Sequence, residues 1–562
     1  MTPRTATPPP RPSFIARFGP LLAVLAALGL VAVIASTGNE GEADTVAASS
    51  GGRANDRIPI PWAEAKESGD PDLEWGDNCD PETGRVELPS HYAPPCVVAR
   101  DGVEGGATYQ GVTADSVKVV LYQLADDDLS AALSSTLDSA ESALETRRQL
   151  IAMLEDRFET WGRKIEVVPV KGSGSDETSA RADAVKVATE IGAFASIGGP
   201  GQESAYVEEL ASRGVVCIGC GLSMPDSRYQ ELAPYAWGIL QTPEQFLLNV
   251  GDYLVDRLNG KPAQFAGDPE MRDKERVFGI VHFEQDPPVF GGVSDAATAA
   301  GEARGYETAV RLSYQLVIDQ LGEKARTLIT QLKDAGVTTV VFLGDPIMPI
   351  YLTKAATDQD YYPEWVITGT VLTDTTTFGR QYDQTQWKNA FGVSPLPLRG
   401  DPEQADGWRL YEWFYGEDPP ASKTVATLFS PIQVFMLGIH MAGPNLTPET
   451  FRDGLWAYPP SGGVPTAPQI SFGEHGFFTA PDYLAVDDMT EIWWDAEAKG
   501  VTEQDEDGTG MMRYADAGKR YLPGEMPESD PKAFVEEGSE MFLEEVPEDQ
   551  APPSYPSPAG GG

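Results

Sequence analysis

From about residue 112 to residue 494 the sequence alternates short β-rich apolar runs with longer amphipathic helical patterns, and no other feature narrows the possible folds so far. Strands are expected at 117–122 (VKVVLY), 164–169, 195–198 and 215–218, separated by helical patterns over 129–161, 180–191 and 203–213. In the first of these helices Leu133, Leu137, Leu144, Leu150 and Leu154 approximate one face. A second series follows: helix 243–258, strand 276–283 (RVFGIVHF), helix 291–304, strand 307–314, helix 322–335, strand 337–343 (VTTVVFL), helix 347–356 and strand 364–368. Ala325, Leu328, Ile329 and Leu332 fall at i, i+3, i+4 and i+7 of its third helix. Parallel strands need a crossover of a dozen or more residues between them, normally a helix. The expected fold is therefore α/β: two doubly wound lobes with parallel sheets joined by a hinge, preceded by one N-terminal hydrophobic helix. A long apolar helix at 426–442 suits either lobe, and Trp493–Trp494 reads as core or hinge packing. No short-period repeat is present, which excludes solenoids and propellers.

The ends of the chain have a different texture. Arg4, Arg11 and Arg17 precede an uncharged apolar stretch over 18–36. A basic n-region before such a stretch is a secretory signal, and a span of ~20 apolar residues also suffices to cross a bilayer. Residues 1–36 are thus a signal peptide, with small residues before Ser36 suited to cleavage, or an uncleaved signal anchor. No Cys follows the stretch to carry a lipid. Residues 37–110 form an exported Pro/Gly-rich arm. The first lobe takes 111–242 and part of 368–430, and the second takes 243–367 and part of 430–495. Residues 496–562 are an acidic, Pro-rich C-terminal extension, whose stretch 525–550 is expected to be disordered in part or draped over the body.

Composition agrees with export. The chain's four cysteines fall in two close pairs, Cys79 with Cys96 and Cys217 with Cys220, and each pair is a disulfide candidate in an oxidising compartment. Closing the loop between Cys79 and Cys96 is worth about 3 kcal/mol of chain entropy. The Cys217–Cys220 pair leaves a redox or metal reading open beside the disulfide. It ends a strand instead of opening a helix, however, and His91, His282, His440 and His475 are scattered. A formal net charge of −45 argues against nucleic acid and anionic membrane surfaces as partners.

Catalytic signatures are absent: the sequence has no G-x-S-x-G elbow, no H-E-x-x-H and no Walker loop, so no catalytic residue, metal or cofactor is assigned. The chemistry that remains is binding at strand ends. In open α/β sheets ligands settle beyond the carboxyl ends of the strands, beside helix N-termini that favour anions. Gly198, Gly199, Pro200 and Gly201 occupy such a turn, with Gln202 and Ser204 following; the plain alternative is an ordinary βα turn with capping residues. By the same logic Tyr122 and Gln123, then Gly221 and Ser223, and in the second lobe Asp345 and Thr370, are candidate ligand contacts. An acid such as Asp345 opposite an amide nest would suit a zwitterion, holding its ammonium.

The order of several phrases resembles one family. Residues 111–119 (GVTADSVKV), the run Ile197-Gly198-Gly199-Pro200 followed by 214–218 (GVVCI), Pro234-Tyr235-Ala236-Trp237, 276–283 with Phe290-Gly291, and 334–344 (DAGVTTVVFLG) together resemble the branched-chain amino-acid-binding type of periplasmic binding protein, the type I substrate receptor of ABC transporters. The resemblance spans about 111–494 and implies a small-molecule solute, a membrane permease as partner and lobes that close by a hinge. It also implies a cleft aromatic at Phe290. Gln202 and Glu203 stand where the family usually places a hydroxyl residue, and an inward acid there would oppose an anionic ligand. The expected function is extracellular capture of a small polar molecule of the amino-acid, amide or short-peptide class. The alternatives are a membrane-anchored surface sensor or adhesion module that keeps the fold, and a secreted hydrolase.

Overall fold

The computed structural model describes residues 59–68, 75–99, 105–127, 138–200, 204–220, 224–284, 294, 305–504 and 506–560. The expected N-terminal hydrophobic helix, the beginning of the arm, the expected helix start at 129–137 and the helix at 291–304 (Ser294 apart) lie outside these residues.

The described part of the arm wraps the first lobe. Two short strands, β1 (Ile60–Pro61) and β2 (Val97–Val98), pair antiparallel, and Cys79 and Cys96 are joined as a disulfide with Cα atoms 5.7 Å apart. Val86, Leu88, Ala93 and Val97 bury their side chains in the first lobe's core.

That lobe is built on five parallel strands: β3 (Ser116–Gln123), β4 (Lys164–Lys171), β5 (Ala195–Ile197), β6 (Val216–Ile218) and β7 (Ala236–Trp237), in the order β4-β3-β5-β6-β7. Val117, Val119, Val120 and Leu121 are all fully buried. A sheet covered on both faces demands such near-continuous apolar runs instead of alternation. The helix after β3 is Ala140–Arg157, capped by Ser139, whose side chain accepts from the Ser142 N–H. The next, Glu177–Val185, runs on as a π-turn over Lys186–Ile191, and Ala205–Ser212 follows β5. The apolar helix Val425–Ala442 is long and apolar enough to cross a membrane, yet it is buried in this same core.

The second sheet contains β8 (Phe278–Phe283), β9 (Thr308–Tyr314), β10 (Thr339–Leu343), β11 (Glu364–Ile367), β12 (Ala390–Ser394), β13 (Met489–Val501), β14 (Asp507–Tyr514) and β15 (Arg520–Tyr521). Its order is β14-β13-β12-β11-β10-β8-β9, with β15 beside β13. The strands β9, β8, β10, β11 and β12 are parallel, whereas β13, β14 and β15 add an antiparallel margin. Successive side chains leave the sheet on opposite faces. Val340 and Phe342 accordingly enter one core while Val341 and Leu343 enter the other. Trp494 and Trp493 divide the same way, and both are core residues. The strand β13 runs to Val501 and pairs with β14, so this sheet takes in residues that the sequence reading placed in the C-terminal extension.

Among the described residues before Tyr521, three passages connect the lobes. The chain leaves the first core after Trp237 and enters the second lobe's core by Leu247; it returns between Leu398 and Leu410, and its third passage, over 482–489, leaves the first core at Ala485 and enters the second lobe's at Met489. These passages are tied to one another. Gln245 Nε2 donates to Asp482 Oδ1 at 2.6 Å, and Asn249 Nδ2 to the Asp487 carbonyl at 3.2 Å. Arg520 donates to Asp488 Oδ1 at 2.8 Å and to the carbonyls of Pro395 and Leu396. The residues after Tyr521 drape over both lobes. Met526 and Ala533 are buried in the second, whereas the Tyr555 hydroxyl donates to Asp80 Oδ2 and the Tyr555 carbonyl accepts from Trp413 Nε1 beside the first.

Candidate functional site

The strand order of the first sheet puts its point of reversal between β3 and β5, where connections leave in opposite directions; beyond the carboxyl ends at such a point is where open α/β sheets take their ligands. Both strand ends at this point are held by one side chain. Arg147, buried on the helix Ala140–Arg157, donates from Nη1 to the Tyr122 carbonyl at 2.9 Å and from Nη2 to the Ile197 carbonyl at 2.7 Å. Burial pushes its pKa down to about 10, so the guanidinium remains charged at neutral pH. The sequence reading did not single out Arg147. Its signal is a cation within the apolar stripe of Leu144, Leu150, Ile151 and Leu154, three residues after Leu144 and four before Ile151.

Around this arginine lie several of the expected contacts. The Tyr122 side chain does not face an open cleft. It is buried, its hydroxyl donates to Asp183 Oδ2 at 2.9 Å, and its ring tilts against Tyr206 with centroids 4.9 Å apart. Gln123 is half-buried at the end of β3, its carbonyl accepting from the Gly172 N–H. Gly198 holds φ +80°, a backbone conformation in which a side chain is strained. A Cβ on Gly199 would come within 2.9 Å of the Tyr206 ring and 3.3 Å of Cys220, so close packing of the turn demands a glycine there. Cys220 is joined to Cys217 as a disulfide and forms that neighbouring wall at the end of β6. Ser204 is half-buried before the helix Ala205–Ser212, and its side chain makes no capping bond. Gly201, Gln202, Gly221, Ser223 and Phe290 lie outside the described residues.

In the second lobe Asp345 and Thr370 do meet at adjacent strand ends, but both are engaged internally. Asp345 Oδ1 accepts from the N–H groups of Ile347 and Met348 at 2.8 and 3.0 Å and so caps the helix Met348–Asp358, while Oδ2 receives the Tyr314 hydroxyl. Burial raises the pKa of this carboxyl. Thr370 Oγ1 accepts from the Gly344 N–H at 3.1 Å and lies 3.2 Å from Thr368 Oγ1, which ties the exit of β10 to that of β11. The ammonium-holding role expected of Asp345 therefore meets a carboxylate already shared among three donors. Its position directly after the buried run of β10 makes it a helix cap, a use that the sequence also permits.

The family model described as "Periplasmic binding protein" matches residues 125–490. No curated protein matches the sequence. Among solved structures, a fatty acid ABC transporter substrate-binding protein from Thermomonospora curvata is 15% identical with a TM-score of 0.47, covering 75% of this chain and 96% of its own. A solute-binding protein of an ABC transporter from R. palustris in complex with 4-hydroxybenzoate is 13% identical with a TM-score of 0.48, covering 70% and 97%. The branched-chain amino acid transporter substrate-binding protein LivJ from Streptococcus pneumoniae, in complex with isoleucine, is 13% identical with a TM-score of 0.44, covering 73% and 100%.

Proposed function

The chain belongs to the periplasmic binding protein family, and from that premise we propose that it captures a small polar solute of the amino-acid, amide or short-peptide class between its lobes and delivers it to the permease of an ABC transporter. It is an exported solute receptor and not an enzyme. The observation that carries the reading is the extent of the family match, which runs from the loop after β3 into β13 and takes in all three passages between the lobes. The crevice at the reversal between β3 and β5 is where such a fold receives a ligand. The reading assigns the solute to Gln123, Gly199 and Ser204 on one lobe and to the exits of β10 and β11 on the other, and what supports it is that all of them follow the carboxyl ends of parallel strands. At the cell surface the protein is either tethered by the apolar segment 18–36 or released once that segment is cleaved.

One observation favours a second reading, a surface sensor or adhesion module without a working pocket. Tyr122, Asp345 and Thr370 all spend their side chains on internal contacts. Thermal unfolding in the presence of amino acids, short peptides, amides and sugars separates the two. A ligand that binds only the folded state raises the melting temperature, by an amount that grows with concentration over Kd. A rise with one solute class supports the receptor. A flat response across the panel, with the fold intact, supports the sensor, and turnover of a solute would contradict both.

A further inference from the structure

We propose that Arg147 is the anion receptor of the crevice, its guanidinium taking a carboxylate, or an oxyanion of similar geometry, on the bound solute. This rests on the solute-capture reading above and narrows it to acids over their neutral amides.

Among the described residues the setting of Arg147 differs from that of every other buried arginine. Arg257, Arg276 and Arg520 are paired with Glu491, Glu364 and Asp488. Arg163 lies at the amino end of the first sheet and donates to the carbonyls of Thr113, Gly106 and Pro444. Arg147 alone stands at the carboxyl ends, with two carbonyls as its partners and no carboxylate among the described residues. A guanidinium has five N–H donors, and among the described residues Arg147 gives two of them to carbonyls. A charge taken out of water is costly unless an opposite charge compensates it. Asp183, a buried carboxylate of the same lobe, is engaged elsewhere, by the Tyr122 hydroxyl and the Ser173 N–H.

Gly198 places no side chain beside the guanidinium. A Cβ on Gly198 would have only Arg147 Nη2, at 3.6 Å, and the Tyr122 carbonyl, at 3.7 Å, within 4 Å. Among the described residues nothing else stands that close to this position, which lies where the strand order of the sheet reverses. A carboxylate fits there because its two oxygens match the planar fork of an arginine. A carboxamide has the same shape without the charge, so the pair isolates the electrostatic contribution.

The test is calorimetric titration of the full chain with amino acids and their carboxamides, and with benzoate and benzamide. The acids are expected to bind at least about tenfold more tightly than the matched amides, in line with the strength of a charge-assisted pair. Arg147→Lys, which keeps the charge without the fork, should weaken acids while preserving their preference over amides. Arg147→Met should abolish the preference. If Arg147→Met does not fold, the comparison of acids and amides on the unaltered chain still decides. Amides that bind as tightly as acids would overturn the assignment of Arg147 and leave solute capture standing. Absence of binding by either class would overturn both.

Discussion

Gln245 donates its side-chain amide to Asp482 Oδ1 at 2.6 Å, and this bond joins the first passage between the lobes to the third. Both residues are buried, so the bond is not exchanged with water. Asp482 Oδ1 also receives the Leu484 N–H at 2.8 Å, but its other oxygen, Oδ2, has no partner. Replacing Gln245 with Ala removes one of the two donors from a buried acid. The expected loss is about 1–3 kcal/mol of unfolding free energy, read by chemical denaturation. A change within error would show that the passages are not coupled through this bond.

Burial of acids makes the same region sensitive to pH. Asp482 and Asp487 lie on the third passage with Asp226, Glu244 and Asp488 near them, and the arginine beside them, Arg520, is held by Asp488. Burial pushes the Asp487 pKa up to about 7 and holds that of Asp482 well above the usual carboxylate range. An unfolded aspartate titrates near 3.9. Below that value both states are protonated and the buried acid carries no penalty. Between about 4 and 7 the unfolded chain is ionised while the folded one keeps its proton, so stability falls as pH rises, at on the order of 1 kcal/mol per pH unit for one group. Above about 7 the contribution of Asp487 to the slope vanishes. Asp487→Asn should flatten the stability profile between pH 5 and 7 relative to the unaltered chain, and identical slopes would contradict the linkage.

The C-terminal residues are expected to act as a strap. Leu543 N–H donates to the Arg399 carbonyl, Gln404 Nε2 to that of Glu544, and the chain then reaches the arm, where the Gln550 carbonyl meets His91 Nε2 at 3.0 Å and Tyr555 meets Asp80. The strap thus follows the second passage from one lobe to the other and ends on the loop closed by Cys79 and Cys96. Truncation after Glu544 should speed hydrogen exchange across residues 75–99 and leave β13 and β14 unchanged. Equal exchange in the two forms would mean that the strap carries no restraint.

Much of the fold was legible because parallel sheets covered on both faces write themselves as apolar runs. Strands at 116–123, 278–283 and 339–343 fall within two residues of their expected bounds. The strand β12 (AFGVS) was missed, since five residues with a central glycine carry neither alternation nor a long apolar run. The antiparallel margin was missed for a different reason: the sequence 507–514 (DGTGMMRY) places two glycines and charges around two methionines and reads as a loop until β13 offers it a partner. The site was less legible than the fold. Asp345 and Thr370 were picked for their place after strands, and the structure puts them together, but capping and inter-strand bonds use the same residue types at the same places as ligand binding does. Arg147 was hidden because a helix pattern scored for its apolar face treats a single cation as noise.

Capture between the lobes requires that the two lobes move together around a solute. Spin labels on cysteines introduced at the exposed positions Glu177, in the first lobe, and Lys324, in the second, would report the inter-lobe distance by pulsed electron resonance. Saturation with whichever solute raises the melting temperature should shift the distance distribution to a shorter, narrower one. A distribution that stays unchanged at saturation would contradict capture between the lobes.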